Sequence, residues 1–208
     1  MVWSSAQPHS VDDMVHHAFG DDRIHLVAVW ARDTLGLTDE QYHSKVQTVK
    51  DLRKPWEALY APIVHSALTT LLLDDSTLKA ALQPWNHLCI PDYTRELRNR
   101  DLAELNRAAE GATGPAEAQM DPTLLAVVGV LHTLRIQTNV AGWVRAGGLW
   151  GPRGEAKNSG EGGEGAGNEH AGGKLLWFEV PETLRYWVGE GRRALEELGI
   201  AVEHGLTR

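Results

Sequence analysis

The sequence predicts a mainly α-helical protein, a helical bundle with one β-hairpin near its C-terminus. Helix-capping patterns recur in the first half, and Thr38 with Gln41 three residues later has the spacing of a capping box. Apolar residues between positions 56 and 72 alternate in steps of three and one, which predicts a single apolar stripe on a long helix. The stretch 174–180 follows a glycine-rich tract and has the composition of a strand.

The elements follow from these patterns in chain order. Ser10 and Gly20 mark the ends of a first helix. The next segment, 23–35, is apolar on most sides, which predicts a central helix. Leu68 lies in the middle of the long stripe and is expected to be buried. Pro84 and Pro91 bound an ordered loop, and Pro181 opens the last helix. We therefore expect helices at about 10–19, 23–35, 38–53, 55–72, 76–82, 93–109, 122–136, 139–146 and 181–198.

Composition divides the chain into a helical domain at 1–110, a linker at 111–121 and a helix–hairpin–helix module at 122–208. The linker is rich in glycine, alanine and proline. Between Gly147 and Gly173 the module contains eleven glycines with four interspersed glutamates. Such a tract cannot bury a core, so residues 151–173 are expected to form a disordered loop between the two strands of the hairpin.

The charge balance and the single cysteine limit the classes of function. The chain of 208 residues carries 20 Lys and Arg against 28 Asp and Glu, a formal net charge of -8. This acidity disfavours binding to nucleic acids and to anionic membranes, which depends on basic side chains. One cysteine excludes an internal disulfide framework. Met1–Ser10 has no signal-peptide pattern and no run of about 18 apolar residues exists, so a soluble, cytoplasmic protein is expected.

Ten histidines raise the question of a metal site. Asp12 with His16, and Asp13 with His17, are spaced to share one helix face, but the chain has no H-x-x-x-H or H-E-x-x-H motif. We expect structural or surface histidines and no cofactor. The alternative is a metal-dependent or other small-molecule enzyme whose pocket is lined by His17, His65 and His132.

Two further catalytic patterns are weak. Cys89 follows His87 by two residues, but a lone cysteine between Leu88 and Ile90 more often behaves as a small buried apolar side chain than as a nucleophile. The glycine tract lacks the Gly-Lys-Ser/Thr of a phosphate loop, and its glutamates would repel phosphate. The sequence therefore identifies no catalytic residue.

From Asp121 onwards the order of elements loosely resembles a winged helix. In that fold a recognition helix enters the major groove, and Thr138, Asn139 and Arg145 would be the residues that read DNA. The predicted recognition helix is short, and the wing tip is acidic where a DNA-binding wing is normally basic. The resemblance thus implies a DNA-binding regulator only as a further alternative, and it fits a protein-interaction module better.

The tryptophans outside the apolar stripes suggest contact with a partner. Trp85, Asn86 and His87 lie in the proline-bounded loop, and Trp143 and Trp150 lie at element ends. We therefore expect a non-enzymatic regulatory or assembly protein that acts through a protein partner, with these five residues as candidate contacts. Core packing of Trp85 is the competing interpretation.

Overall fold

The computed structural model describes residues 1–59, 64–109, 120–152 and 175–202, and the structural statements below concern those ranges. They are mostly helical, as predicted. The α-helices are α1 (Pro8–Phe19), α2 (Asp39–His43), α3 (Arg53–Ala58), α4 (Arg95–Ala109), α5 (Thr123–Leu134), α6 (Val140–Arg145) and α7 (Pro181–Glu197). The strands are β1 (Val2–Trp3), β2 (Val29–Trp30), β3 (Leu72–Asp74) and β4 (His87–Cys89). Short 3₁₀ turns occupy Gly20–His25, Arg32–Leu35, Thr77–Ala80, Pro84–Asn86, Gly148–Trp150 and Trp177–Glu179.

The strands form two separate pairs, and both pairs are parallel. β1 pairs with β2, with Trp3 opposite Trp30, and β3 pairs with β4, with Asp74 opposite Cys89. A parallel pair needs a crossover connection rather than a tight turn. Helix α1 lies in the first crossover, and the two turns between 77 and 86 lie in the second. Because these strands have only two or three residues, they are too short to show a period in the sequence.

The predicted C-terminal hairpin is wrong in the residues that the structure describes. Gly148–Trp150 and Trp177–Glu179, expected to lie in or beside its strands, each form a 3₁₀ turn. The Trp177 side chain is buried, and its indole N–H donates to the Cys89 carbonyl at 2.7 Å, which fixes this segment against β4. The described segments therefore contain no wing strands. The predicted disordered loop, 151–173, lies outside the described residues except for Gly151 and Pro152, and so does nearly all of the predicted linker.

The long striped helix is also wrong, because α3 ends at Ala58 and the described residues from 64 lead through turns into β3. The carbonyls that a helix would use bind other parts of the chain. Val140 and Ala141, at the start of α6, donate their backbone N–H groups to Leu68 and Ala67. The Leu68 side chain, predicted to be buried, is 48% exposed.

The central helix predicted at 23–35 is replaced by a turn, by β2 and by a second turn. The carbonyls of Ala28 and Trp30 accept hydrogen bonds from the backbone N–H groups of Val2 and Ser4, at 3.0 and 2.9 Å. The apolar run at 26–31 therefore contains a parallel strand and not a helix. A continuous apolar run does not by itself distinguish a strand from a buried helix.

The capping box at Thr38 is confirmed, but the helix that it opens is shorter than predicted. Thr38 Oγ1 accepts from the Gln41 backbone N–H, and the Gln41 side chain accepts from the Thr38 N–H. α2 ends at His43, and Arg32 binds the carbonyls at its end. The guanidinium donates to Gln41 and Ser44 at 2.7 Å and to Tyr42 at 2.9 Å.

The main hydrophobic core lies between α5 and α7, two helices that the sequence predicts well. Ala126 and Val130 pack there with Trp187, Trp177 and Leu88. At the crossing, Gly129 of α5 faces Gly191 of α7. A Cβ atom added to Gly191 would lie 1.9 Å from the Leu125 carbonyl oxygen. The two helix backbones are therefore in direct contact.

Candidate functional site

The end of β3 carries a buried ion pair. Asp74 is the last residue of the strand, and its Oδ2 lies 2.6 Å from Nζ of Lys50. Lys50 is 5% exposed and Asp74 is 7% exposed. The other carboxylate oxygen, Oδ1, accepts the backbone N–H of Ser76 at 3.0 Å. Both oxygens of the Asp74 carboxylate therefore have partners within the protein.

Lys79 extends this cluster towards the surface. Its Nζ lies 3.5 Å from carboxylate oxygens of both Asp74 and Asp75. The Lys79 carbonyl accepts the backbone N–H of Lys50 at 2.8 Å, which places the segment before α3 beside the turn that carries Lys79. Two ammonium groups and two carboxylates are thus brought together, with Asp75 and Lys79 on the accessible side. We call Lys50, Asp74, Asp75 and Lys79 the β3-end cluster.

The three residues singled out in the proline-bounded loop have different environments. Asn86 and His87 are each 2% exposed. The Asn86 side chain donates to the carbonyls of Ala67 and Thr70, both at 2.7 Å, and one ring nitrogen of His87 lies 3.1 Å from the Asp74 carbonyl oxygen. Only Trp85 of the three is partly exposed. Surface contact by this loop therefore depends on Trp85.

Trp143 and Trp150 are half-buried at the edge of the main core. The Trp143 and Trp187 rings meet edge to face with centroids 6.1 Å apart. Gly148 lies directly beneath Trp143, where an added Cβ would come within 2.2 Å of the ring. Helix α6, which carries Trp143, packs against the Pro84–Asn86 turn. The structure thus places Trp143 on a helix that adjoins the turn containing Trp85.

The candidate metal ligands lie on different elements. His17 is exposed on α1, with Nδ1 2.7 Å from the Asp13 carbonyl oxygen. His65 lies in the segment before β3, and His132 on α5 is 3.5 Å from Glu197. No group of three or more His, Cys, Asp or Glu side chains in the described ranges could hold a metal ion.

Of the candidate DNA-reading residues, Asn139 has a structural role. Its side-chain oxygen accepts the Gly142 N–H at 2.7 Å and caps α6. Thr138 is exposed just before that helix, and Arg145 is its exposed last residue.

Cys89 has the character of a buried thiol. Burial, together with the nearby Asp74 carboxylate, raises the pKa of its thiol to about 11. Its Sγ lies 3.6 Å from the Asp75 carbonyl oxygen. Because the thiolate is the nucleophilic form, this environment opposes the alternative in which Cys89 is a catalytic nucleophile.

The sequence reasoning missed the β3-end cluster. The helical pattern predicts Asp74 and Asp75 as the end of one helix and the cap of the next, although they directly follow the apolar residues Leu71–Leu73. Acidic residues at the end of a short apolar run are a signal for the carboxyl edge of a parallel strand, where ligands bind in open α/β sheets. Lys50 gives no such signal, because it is 24 residues away from Asp74.

Comparison with known proteins gives a partial match. The chain is 35% identical over 99 residues to an uncharacterized FCP1 homology domain-containing protein of Schizosaccharomyces pombe. The aligned stretch covers 45% of this chain and 41% of that relative, so the chain spans less than half of its length. No family model and no solved structure matches the chain. In the portions that the structure describes, no helix is long and apolar enough to span a membrane.

Proposed function

We propose that the β3-end cluster binds the phosphate group of a phosphate ester, and that the chain belongs to an enzyme acting on such esters. The observation that carries this proposal is the buried pair of Lys50 and Asp74 at the carboxyl end of a parallel strand. Ligands of open α/β sheets bind at this edge. The ammonium groups of Lys50 and Lys79 would neutralise the non-bridging phosphate oxygens, a role that lysine fills as a point charge.

The energetics of burial favour a functional role for the pair. Removing two charges from water costs several kcal/mol per ion. Replacing a buried ion pair with a well-packed apolar pair of similar volume often leaves stability unchanged or raises it. A phosphate that displaces the Asp74 carboxylate from Lys50 would use an ammonium already desolvated and held in place. Preorganised charge of this kind is what stabilises the transition state of phosphoryl transfer.

The relative supports the proposal independently. It is described as containing an FCP1 homology domain, and it is 35% identical to this chain over 99 residues. We propose that this chain carries at least part of a domain of that kind. Since the chain spans only part of the relative, residues that complete the chemistry need not all lie in the described ranges.

Binding of inorganic phosphate, measured by isothermal titration calorimetry, tests the site. The variant Lys50→Met alone would leave the buried Asp74 with Lys79, at 3.5 Å, as its remaining ionic partner, so the comparison is Lys50→Met combined with Asp74→Leu. We expect the wild-type chain to bind phosphate and the double variant to lose at least tenfold in affinity. Lys45→Met, on the exposed segment before the cluster, is the control. Unchanged binding in a folded double variant would refute the proposal.

A non-enzymatic role in a cytoplasmic regulatory or assembly complex is the second candidate. It is favoured by Ile24 and Val27, two apolar side chains before β2 that are 80% and 74% exposed. In this case the partner is a protein. Sedimentation velocity over a hundredfold concentration range tests assembly with a second copy of the chain. We expect association that Val27→Ser weakens. A monomer at all concentrations would contradict assembly with a second copy.

A further inference from the structure

Helix α5 has a second apolar stripe, separate from the face that it turns to the main core. Leu124, Val128, Leu131 and Arg135 follow one another at spacings of four, three and four residues, which places them on one stripe of an α-helix. Arg135 belongs to the stripe because its backbone N–H donates to the Leu131 carbonyl at 3.0 Å, so the helical hydrogen bonds continue to it. Leu124 is 72% exposed, Leu131 is 44% exposed and Val128 is half-buried. Three successive apolar side chains therefore remain accessible to solvent.

The two ends of this stripe carry opposite charges. At the N-terminal end, the Asp121 carboxylate accepts the backbone N–H and the hydroxyl of Thr123 at 3.1 and 2.6 Å, which holds it against the first turn of α5. At the C-terminal end, the exposed Arg135 guanidinium lies 3.0 Å from Nε2 of His132. Among the residues that the structure describes, neither Asp121 nor Arg135 forms an ion pair. A single helix thus presents an acidic end, an apolar centre and a basic end.

We propose that this stripe docks α5 of a second copy of the chain, with the two helices antiparallel across a two-fold axis. An axis beside Val128 places Leu124 of each copy opposite Leu131 of the other. It also brings Arg135 of each copy to the end of α5 at which the other copy carries Asp121. The interface is isologous, so it closes as a dimer. This inference does not rest on the proposed function, because the stripe contains no residue of the β3-end cluster.

The charges select the antiparallel arrangement and a partner of the same sequence. A parallel pair would bring the two Asp121 carboxylates together at one end and the two Arg135 guanidinium groups together at the other, and like charges in contact oppose association. From Leu124 to Arg135 the stripe spans about 16 Å, at a rise of about 1.5 Å per residue. A contact of this length is at the small end of specific interfaces, so we expect a dimer that forms at micromolar concentrations.

Disulfide cross-linking tests the antiparallel geometry, because only a residue at the two-fold axis meets its own copy. Val128→Cys should give a covalent dimer under mild oxidation. In Leu124→Cys the two cysteines would be about 12 Å apart along the helices, and a disulfide requires Cα atoms within about 7 Å. Leu124→Cys alone should therefore stay monomeric, whereas a mixture of Leu124→Cys and Leu131→Cys should cross-link. The wild type is the control, because its single cysteine, Cys89, is buried.

Sedimentation velocity measures the contributions of the apolar centre and of the charged ends. Each substitution occurs twice in a two-fold dimer, so Leu124→Ser and Arg135→Glu should each weaken association by about tenfold or more. Arg145→Glu is the matched control for Arg135→Glu. Arg145 is the exposed last residue of α6, so its replacement changes the net charge equally and should alter association by less than about twofold. Circular dichroism spectra verify that each variant is folded.

The outcomes separate this interface from the other proposals. A monomer up to high micromolar concentration, or cross-linking of Leu124→Cys alone as efficient as that of Val128→Cys, would overturn it. A dimer that Val27→Ser weakens and Leu124→Ser does not would assign assembly to the surface before β2 and would also overturn it. Absence of phosphate binding would refute the proposed function and leave the α5 interface standing.

Discussion

Substitution of Gly191 by alanine is expected to destabilise the protein although it improves helix propensity. The added Cβ would lie 1.9 Å from the Leu125 carbonyl oxygen, whereas ordinary contact begins at 3.4 Å, so α5 and α7 would have to separate by about 1.5 Å. Because the clash is with backbone atoms, we expect the free-energy cost of overpacking to reach the upper end of its usual range, about 3 kcal/mol. The helix propensity of alanine returns about 1 kcal/mol. The free energy of unfolding should therefore fall by about 2 kcal/mol.

Gly189 supplies the matched control on the same helix, because a Cβ added there meets nothing within 4 Å. Gly189→Ala should raise the free energy of unfolding by up to about 1 kcal/mol. Urea denaturation, followed by far-ultraviolet circular dichroism, measures both variants. For a chain of this size the melting temperature should fall by about 4–8 °C for Gly191→Ala and rise for Gly189→Ala. If Gly191→Ala is as stable as the wild type, the backbone contact between α5 and α7 does not exist as described.

Three further predictions concern acidity, thiol reactivity and the misassigned stripe. Hydrogen bonds from Arg53 hold the pKa of Asp51 at about 2, below its unfolded value, so this stabilisation is full above about pH 4 and is lost as the pH falls towards 2. Asp51→Asn should therefore reduce the acid-induced loss in the free energy of unfolding by no more than about 1 kcal/mol, because solvent screens the ion pair. Measuring the free energy of unfolding as the pH is lowered tests this. Cys89 should resist a thiol reagent at pH 8 in the native protein and react fully in urea, whereas rapid native labelling would contradict its burial. Leu68→Ala should change unfolding by less than about 1 kcal/mol, and a loss of 2 kcal/mol or more would restore a core position.

The sequence predicts the second half of the helical framework well, because its signals are local. Asn139 caps α6 and Pro181 is the first residue of α7, close to the expected positions. The failures occur where distant parts of the chain decide the conformation. The stripe from 56 to 72 has a helical period, but its carbonyls bind α6 and Asn86, which no local pattern reveals.

The candidate site could be predicted only in part for the same reason. The prolines that bound its loop predict Trp85 as a contact residue, and the structure leaves it partly exposed. Lys50, by contrast, becomes important only because the fold brings it to Asp74. A buried ion pair between residues of different elements depends on the tertiary structure and has no periodic signature in the sequence.

The Arg32 contacts determine how α2 responds to solution conditions. All of the hydrogen bonds that its guanidinium makes in the described ranges go to neutral backbone carbonyls, including that of Ser5 at 3.4 Å. No carboxylate titrates in this set, and arginine keeps its charge throughout the accessible pH range. Ion–dipole contacts of this kind are short-ranged, and those to Tyr42 and Ser5 are partly buried, so mobile ions weaken them little. The segment from Thr38 to Ser44 should therefore remain attached to the end of β2 in molar salt and in mild acid, conditions that loosen the surface ion pairs elsewhere on the protein.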